Sequence, residues 1–166
     1  MTRYLVRRLA PADVPAMVEI IDSVRREYGV HQRIESVIEP ADRELFATYQ
    51  NPRSEYFVAL DANVIVGGAG IAPLAGAGEE TCELQRMYLS FQHRGRGVGR
   101  LLLSECLRQA RSLGFKICYA ETIAEMRAAL RFYEMNGFGR LQAPLGTSGH
   151  GHNDCWLTKS LDSRME

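Results

Sequence analysis

The sequence predicts a mixed α+β fold, in which helices flank a central, mostly antiparallel β-sheet that contains one βαβ unit. Short β-prone runs alternate along the chain with amphipathic helical stretches. Three of the runs follow one another through short turns, as neighbouring antiparallel strands do. The next run comes only after a long helix, which predicts a parallel pair. We find no repeat and no linker in the 166 residues, and therefore expect one domain over 1–166.

The N-terminal part is predicted to hold one strand and two helical stretches. Residues 4–7 are β-prone, and a helix opens at residues 11–13, with apolar residues at helical spacing at Val14, Met17, Val18 and Ile21. Gly29 ends or loosens this helix, and the polar segment 27–39 is expected to be a loop. A second helical stretch begins near Glu39 and carries Leu45, Phe46 and Tyr49.

The remaining elements follow in a regular order. Three antiparallel strands are predicted, joined by the turns 61–63 and 75–78, over residues 56–60, 64–68 and 82–89. A helix over 97–113 and a strand over 115–120 complete the βαβ unit. The last helix has apolar residues at helical spacing, and Asn136-Gly137 stops it: Met126, Ala129, Leu130 and Tyr133. Two short strands near 138–141 and 154–159 finish the chain.

Composition and charge narrow the range of partners. Twenty Lys and Arg balance twenty Asp and Glu, so no positive field favours nucleic acid. No signal peptide follows the Arg-rich start, and no apolar run is long enough to span a bilayer; these features predict a cytoplasmic protein without a membrane partner. The four dispersed cysteines are expected to be reduced and mostly buried. A nucleophilic role stays open for Cys155, which follows His150 and His152.

The segment from Gln92 to Arg100 is the most informative stretch of the chain. Its glycines lie between a strand and an amphipathic helix, where backbone N–H groups and the helix dipole favour a diphosphate. A tight turn that only packs the helix is the alternative. The absence of a GK[ST] ending removes the P-loop, and the G-x-G-x-G spacing weakens the dinucleotide reading. Glu121 could bind a ribose in such a fold, but too few residues follow it for the second half.

Three motifs that follow one another along the chain resemble those of a known protein family. Gln92-x-x-Gly95-x-Gly97 is preceded by the strand-like run 83–89, and a helical run that begins near Glu121 ends in the sequence FYEMNGF at 132–138. Together they resemble the GNAT superfamily of acetyl-CoA-dependent N-acetyltransferases. The resemblance is strongest from 79 to 139 and extends over the chain in general layout. It implies the GNAT fold, with acetyl-CoA as donor and with a homodimer as a family-level expectation.

The resemblance also implies which residues bind acetyl-CoA. The backbone of Met87 and Leu89 would pair with the pantetheine arm where the fourth and fifth strands splay apart. Amides of 94–99 would hold the pyrophosphate, and three arginine side chains would either reach the adenosine phosphate or form a solvated basic face. The expected cofactor residues are Met87, Tyr88, Leu89, Arg94, Gly95, Arg96, Gly97, Val98, Gly99 and Arg100.

The expected reaction is direct transfer, in a ternary complex, to a primary amine of a small molecule or peptide. A lysine-like amine is almost fully protonated at pH 7, so the reaction profits from a base. By the resemblance Glu83 is the base, with Glu121 as the alternative, and Tyr133 donates a proton to the sulfur of CoA. A backbone N–H at Met87 or Tyr88 would stabilise the oxyanion. The alternatives are a salt-bridged Glu83 and a Tyr133 that belongs only to the core.

The acceptor side is weakly marked in the sequence. His150 and His152 have no third ligand at a suitable spacing, so no metal is predicted, and they are expected in a polar loop that contacts the acceptor. The segment 26–28, Arg26-Glu27-Tyr28, is a second candidate for such contacts. A non-catalytic acetyl-CoA-binding sensor is the competing function, and an NAD-dependent oxidoreductase is disfavoured by the loop spacing.

Overall fold

The fold is taken from a computed structural model that describes residues 4–29 and 38–162. Its strands are β1 Tyr4–Arg8, β2 Glu55–Asp61, β3 Val64–Pro73, β4 Thr81–Leu89, β5 Ile117–Thr122, β6 Gly139–Leu141 and β7 Cys155–Ser160. Its α-helices are α1 Val14–Glu27, α2 Pro40–Arg43, α3 Leu45–Thr48, α4 Val98–Ser112 and α5 Arg127–Met135. Among these described helices, none combines the length and the apolar character that a membrane crossing requires.

The described strands form one mixed sheet in the order β1-β2-β3-β4-β5-β7-β6. The β4–β5 pair is parallel, and α4 makes the connection between its strands. Every other neighbouring pair in the sheet is antiparallel. The predicted fold class, a mostly antiparallel sheet with one βαβ unit, is confirmed.

The two faces of the sheet are covered by different helices. In β2, Tyr56 and Val58 pack in a cluster with residues of α1 and α3, whereas Phe57 and Ala59 pack in a cluster with residues of α4 and α5. This alternation follows from the two-residue period of a strand. The sheet therefore separates two apolar layers, and its central strands are buried on both sides.

Three element boundaries differ from the predicted ones. Strand β5 starts at Ile117 rather than at Phe115, because the Phe115 amide donates to the Ala110 carbonyl at the end of α4. Strand β3 runs on to Pro73, because its glycines leave space for the Tyr56 and Tyr49 rings. The second helical stretch divides into α2 and α3 at Glu44, whose φ and ψ are −101° and 29°. Of the predicted polar loop 27–39, residues 30–37 lie outside the described residues.

Candidate active site

The site begins where β4 and β5 separate. Their paired residues run from Thr81 and Ile117 to Glu83 and Tyr119, although β4 continues to Leu89. Beyond Glu83 the two strands therefore diverge, and backbone groups of β4 face a cleft instead of a neighbouring strand. The splayed point that the sequence predicted is present.

A β-bulge in β4 shapes this cleft. The register with β3 passes from Gly70↔Gln85 to Gly68↔Tyr88, so Arg86 and Met87 stand outside the one-to-one pairs. Arg86 has a φ of 47°, in the left-handed region that non-glycine residues seldom adopt. The Tyr56 hydroxyl donates to the Arg86 carbonyl at 2.8 Å and so supports this conformation.

A buried ion-pair network secures the bulge to the N-terminal helices. Asp42, which is fully buried, accepts from Arg86 Nε at 2.7 Å and from Arg25 Nη1 at 2.6 Å. Burial alone would raise the pKa of Asp42, but the two guanidinium groups outweigh it and lower the pKa. The network links α1, α2 and β4 around the acceptor side of the cleft. The sequence marks Asp42 only as a carboxylate near a helix start, so these partners were missed.

The glycine loop forms the opposite end of the cleft. Gly95 and Gly97 have φ of 70° and 85°, and a Cβ built at either position would meet nothing within 4 Å. Glycine therefore provides both the backbone conformation and the open space beside it. Gly97 is the N-cap of α4, whose first amides lack partners within the helix. An anion such as a diphosphate fits this arrangement.

A cavity of about 540 Å³ extends from the glycine loop along the splayed strands. Its lining is mainly apolar in the middle, where Met87, Leu89 and Phe132 contribute, as a pantetheine arm requires. Of the predicted cofactor residues it includes Met87, Tyr88, Leu89, Arg94, Gly95, Gly97, Gly99 and Arg100. Arg96 and Val98 do not line it: Arg96 is exposed, and the Val98 side chain is buried in the core.

The Arg94 side chain has hydrogen-bond partners within the fold that the sequence did not reveal. Its guanidinium forms a two-point ion pair with Glu27 at 2.7 and 2.8 Å and also donates to the Leu89 carbonyl. The side chain thus joins the end of α1 to the end of β4. Of the three loop arginines, Arg100 combines exposure with a position on the cavity.

A second, smaller cavity of about 120 Å³ continues on the other side of β4. Ionisable groups from separate parts of the fold line it: Arg25, Glu39, Glu83, Arg86, Glu121, His150 and His152. The two cavities share wall residues, among them Val24, Tyr28, Met87, Tyr88, Met126, Ala129 and Tyr133. The two cavities therefore adjoin at the splayed strands, and we call them the two ends of one cleft.

Tyr133 stands where the two ends meet. Its ring packs against Phe132 and Phe138, and burial raises its pKa. The hydroxyl is accordingly protonated at neutral pH and available as a donor. Tyr133 belongs to the apolar core and also lines the cleft, so its position is compatible with both interpretations from the sequence.

Glu83 lies at the end of the paired part of β4 and lines the smaller cavity. It is 3% exposed and accepts from Gln85 Nε2 at 2.7 Å, while the Tyr49 hydroxyl fixes Gln85 from behind. Burial raises the pKa of Glu83. A carboxylate with a raised pKa is a stronger base than an exposed one, which suits a proton acceptor.

Glu121 has more hydrogen-bond partners at its carboxylate than Glu83 has. Its carboxylate accepts from the Tyr119 hydroxyl at 2.8 Å, from Asn153 Nδ2 at 3.2 Å and from the Ser148 hydroxyl, and His150 Nδ1 lies 3.4 Å away. Burial raises the pKa of Glu121, but these donors outweigh it and lower the pKa to about 2. Such a carboxylate is a weak base, so the geometry disfavours Glu121 as the alternative to Glu83.

The sequence showed no third metal ligand at a suitable spacing for His150 and His152, but the fold brings two carboxylates close to His150. One ligand-type atom from each of Glu83, Glu121 and His150 lies within 4.8 Å of the other two. Such a set can hold a metal, but the Glu121 oxygens are already occupied by four donors, which makes a poor metal site. No sequence spacing indicates this cluster, because β4, β5 and the β6–β7 loop contribute one residue each.

The remaining candidates divide between the cleft and the surface. Tyr28 lines both ends of the cleft, Glu27 is paired with Arg94, and Arg26 forms an exposed pair with Asp22. Cys155 lies on β7 outside both linings, and burial raises the pKa of its thiol. A thiol that keeps its proton is a poor nucleophile, which disfavours a cysteine mechanism.

The family model of the acetyltransferase (GNAT) family matches residues 17–138. This span contains the splayed strands, the glycine loop and Tyr133. The chain belongs to the GNAT family and is an acetyltransferase by that membership.

Known relatives agree with this assignment. The chain is 40% identical over 147 residues, 88% of each protein, to an uncharacterized N-acetyltransferase, YjgM, of Escherichia coli. A GNAT acetyltransferase structure from Staphylococcus aureus superposes with a TM-score of 0.85 at 19% identity, covering 96% of this chain and all of that one. The PaiA N-acetyltransferase from Thermoplasma acidophilum, solved in complex with coenzyme A, has a TM-score of 0.78 at 20% identity, covering 95% and 99%.

Proposed function

We propose that the protein transfers the acetyl group of acetyl-CoA directly to a primary amine of a small molecule or peptide. The observation that carries this proposal is that the large apolar cavity and the small cavity with ionisable walls adjoin and share Tyr133 as a wall residue. A donor and an acceptor that enter from opposite ends would meet at this side chain, as direct transfer within a ternary complex requires.

The residues of the larger end fit acetyl-CoA. The open glycine loop and the first amides of α4 would hold the pyrophosphate, and the backbone of Met87 and Leu89 would pair with the pantetheine arm. Acetyl-CoA supplies an acetyl group activated as a thioester. The smaller end has room for an amine and a short adjoining segment, consistent with an acceptor that enters tip first.

The chain's own groups would then perform three tasks. Glu83 takes a proton from the acceptor ammonium, which makes its nitrogen nucleophilic. A backbone N–H at Met87 or Tyr88, presented at the bulge, stabilises the negative charge that develops on the carbonyl oxygen. Tyr133 donates a proton to the departing sulfur. The buried network around Asp42 holds the bulge in place while these groups act.

The test is thiol release from acetyl-CoA in the presence of a panel of amines: polyamines, free amino acids, lysine-containing peptides and peptides with free N-termini. We expect at least one amine to raise thiol release well above hydrolysis, with mass spectrometry showing an acetylated nitrogen. The competing function, a non-catalytic sensor, predicts that acetyl-CoA binds while no amine accelerates release. Binding measured by calorimetry on the same preparation separates an inactive protein from a sensor.

A further inference from the structure

The β6–β7 loop brings one titratable ring to the acceptor end of the cleft. His150 lines the smaller cavity, and its side chain is 29% exposed. Its Nδ1 lies 3.4 Å from Glu121, and its Nε2 lies 4.0 Å from Glu39. The ring therefore lies between the cavity and the surface, with one nitrogen directed at a fixed carboxylate.

Glu121 is built to hold this ring rather than to react. Tyr119 and Asn153 donate to its carboxylate, as does the hydroxyl of Ser148, which also accepts from the His150 amide at 3.2 Å. The same cluster thus fixes the backbone and the side chain of His150. With Nδ1 beside Glu121, the tautomer that carries its proton on Nδ1 leaves the ring one nitrogen able to accept a proton.

His150 also lies close to Glu83, the buried residue proposed as the base. The ligand-type atoms of Glu83 and His150 lie within 4.8 Å of each other, a span that one nitrogen or oxygen atom hydrogen-bonded to both can fill. An acceptor nitrogen or a water molecule is such an atom. A proton on Glu83 therefore has a one-step route to the ring.

The reaction requires such a route. An acceptor ammonium and a thioester give an amide, a thiol and one free proton, so each turnover leaves one proton to be discharged. The acceptor nitrogen loses two protons: Glu83 takes one before attack, and the second, lost as the amide forms, replaces the proton that Tyr133 gives to the sulfur. Glu83 is only 3% exposed, so a more exposed group beside it would assist the release of its proton to bulk water.

We propose that His150 is a further catalytic residue: its imidazole receives the acceptor's proton by way of Glu83 and releases it to solvent, while Glu121 acts as a positioning residue. In the first step protonated Glu83 and neutral His150 become a carboxylate and an imidazolium. In the second step the imidazolium gives its proton to water. The inference rests on the proposed function, because it deepens the account of how the acceptor is deprotonated.

The groups around His150 set the pH at which it can work. The hydrogen bond with Glu121 raises the pKa of His150 above its ordinary value of 6.5, and the charges of Glu39 on α2's N-terminal side and Glu83 on β4 act in the same direction. His152 on the same loop and Arg25 on α1 line the same cavity. The ring is neutral, and able to accept, only above its raised pKa. Turnover should therefore fall as pH decreases through that value.

The first test is the pH profile of kcat/KM, from about pH 5 to 9, with an amine that the panel has shown to be acetylated. For the wild type we expect an acidic limb with its midpoint above 6.5. His150→Gln should lower the plateau by about 10- to 100-fold and change the midpoint of the acidic limb, because the imidazole no longer titrates. His93→Gln, the same change at a histidine outside both cavities, should keep the wild-type midpoint. A His150→Gln enzyme with the wild-type midpoint would overturn the proposal.

A second test does not depend on turnover. We expect a side-chain NMR titration of the free protein to place the pKa of His150 above 6.5 and to show it falling in Glu121→Gln and in Glu83→Gln. A His150 pKa at its ordinary value in all three proteins would contradict the cluster and the proposed relay. If no amine is acetylated at all, the proposed function fails and the catalytic role of His150 fails with it, whereas the titration still reports whether Glu121 holds the ring.

Discussion

The two ends of the cleft are built in different ways. The cofactor end depends on consecutive residues, because Gly95, Gly97 and the first turn of α4 present backbone groups to one point. The acceptor end depends on side chains from elements far apart in sequence, such as Arg25, Asp42 and His150. A backbone site is determined by local conformation, whereas a side-chain site exists only after the whole fold has formed.

This difference explains what each end can do. Backbone amides recognise the shared diphosphate of a cofactor and tolerate variation in the side chains around them. Side chains that converge from separate elements can change one at a time, so they suit the recognition of one acceptor. Substitutions at the first end should act through backbone conformation and bulk. Those at the second should act through charge and proton transfer, and five experiments test that contrast.

The largest effect is expected at the glycine loop. Gly97→Glu should weaken acetyl-CoA binding by at least about 1000-fold, because it adds bulk and negative charge where the diphosphate would lie, at a cost of several kcal/mol. Gly114→Glu is the matched control: its φ of 84° and open surroundings resemble those of Gly97, but it lies beyond the other end of α4. Calorimetry should show loss of affinity in the first variant only. Unchanged affinity in a folded Gly97→Glu protein would remove the loop assignment.

The buried network at the acceptor end should dominate stability. Asp42→Asn leaves Arg25 and Arg86 without their shared carboxylate and should lower the free energy of unfolding by about 3–5 kcal/mol at pH 7. Asp22→Asn, which breaks an exposed pair, should cost under about 1 kcal/mol. Denaturant unfolding measures both. Equal costs for the two variants would show that the network does not support the bulge.

The ion-pair network around Asp42 also predicts how the free energy of unfolding depends on pH. The folded-state pKa of Asp42 is lowered from 3.8, so its contribution is complete above about pH 4 and is lost as pH falls through the folded value. The wild type should therefore lose stability in acid more steeply than Asp42→Asn. Parallel curves for the two proteins would argue against an ionised Asp42.

A substitution at Tyr133, which lines both ends of the cleft, should affect catalysis and not cofactor binding. Tyr133→Phe should lower kcat by about 10- to 1000-fold while the affinity for acetyl-CoA changes little, because only the donated proton is lost. Tyr4→Phe removes a hydroxyl from the edge strand β1, outside both linings, and should leave kcat unchanged. Equal kcat for Tyr133→Phe and wild type, with chemistry rate-limiting, would return Tyr133 to a purely structural role.

The smallest effect, and the one most sensitive to pH, is expected at the base. Glu83→Gln should lower kcat/KM by about 10- to 100-fold near neutral pH and by progressively less toward pH 10, where the acceptor amine deprotonates in solution. Glu80→Gln alters an exposed carboxylate paired with Lys116 and should leave the profile unchanged. Glu83→Gln and wild-type profiles that run parallel from about pH 6 to 10 would contradict the base assignment.

The cofactor end could be predicted from sequence because its signals are local. The glycines, the amphipathic α4 and the β-prone run of β4 lie within a short stretch, and the resemblance to the GNAT family added Glu83 and Tyr133. The bulge at Arg86 could not be predicted, because it depends on the register with β3 and on the Tyr56 hydroxyl. The Glu121–His150 contact could not be predicted for the same reason. The Glu121 carboxylate on β5 meets loop residues 27 to 32 positions further along only when the sheet has formed. Arg94 shows a related limit, since its pairing with Glu27 spans 67 positions.

The central claim is that donor and acceptor meet in one cleft and that the acetyl group passes directly between them. Initial velocities with both substrates varied, together with the intact mass of the enzyme after exposure to acetyl-CoA alone, test this most directly. Direct transfer predicts double-reciprocal lines that intersect and an enzyme whose mass does not change. Parallel lines, with an acetyl group recovered on Cys155 or another side chain, would contradict it.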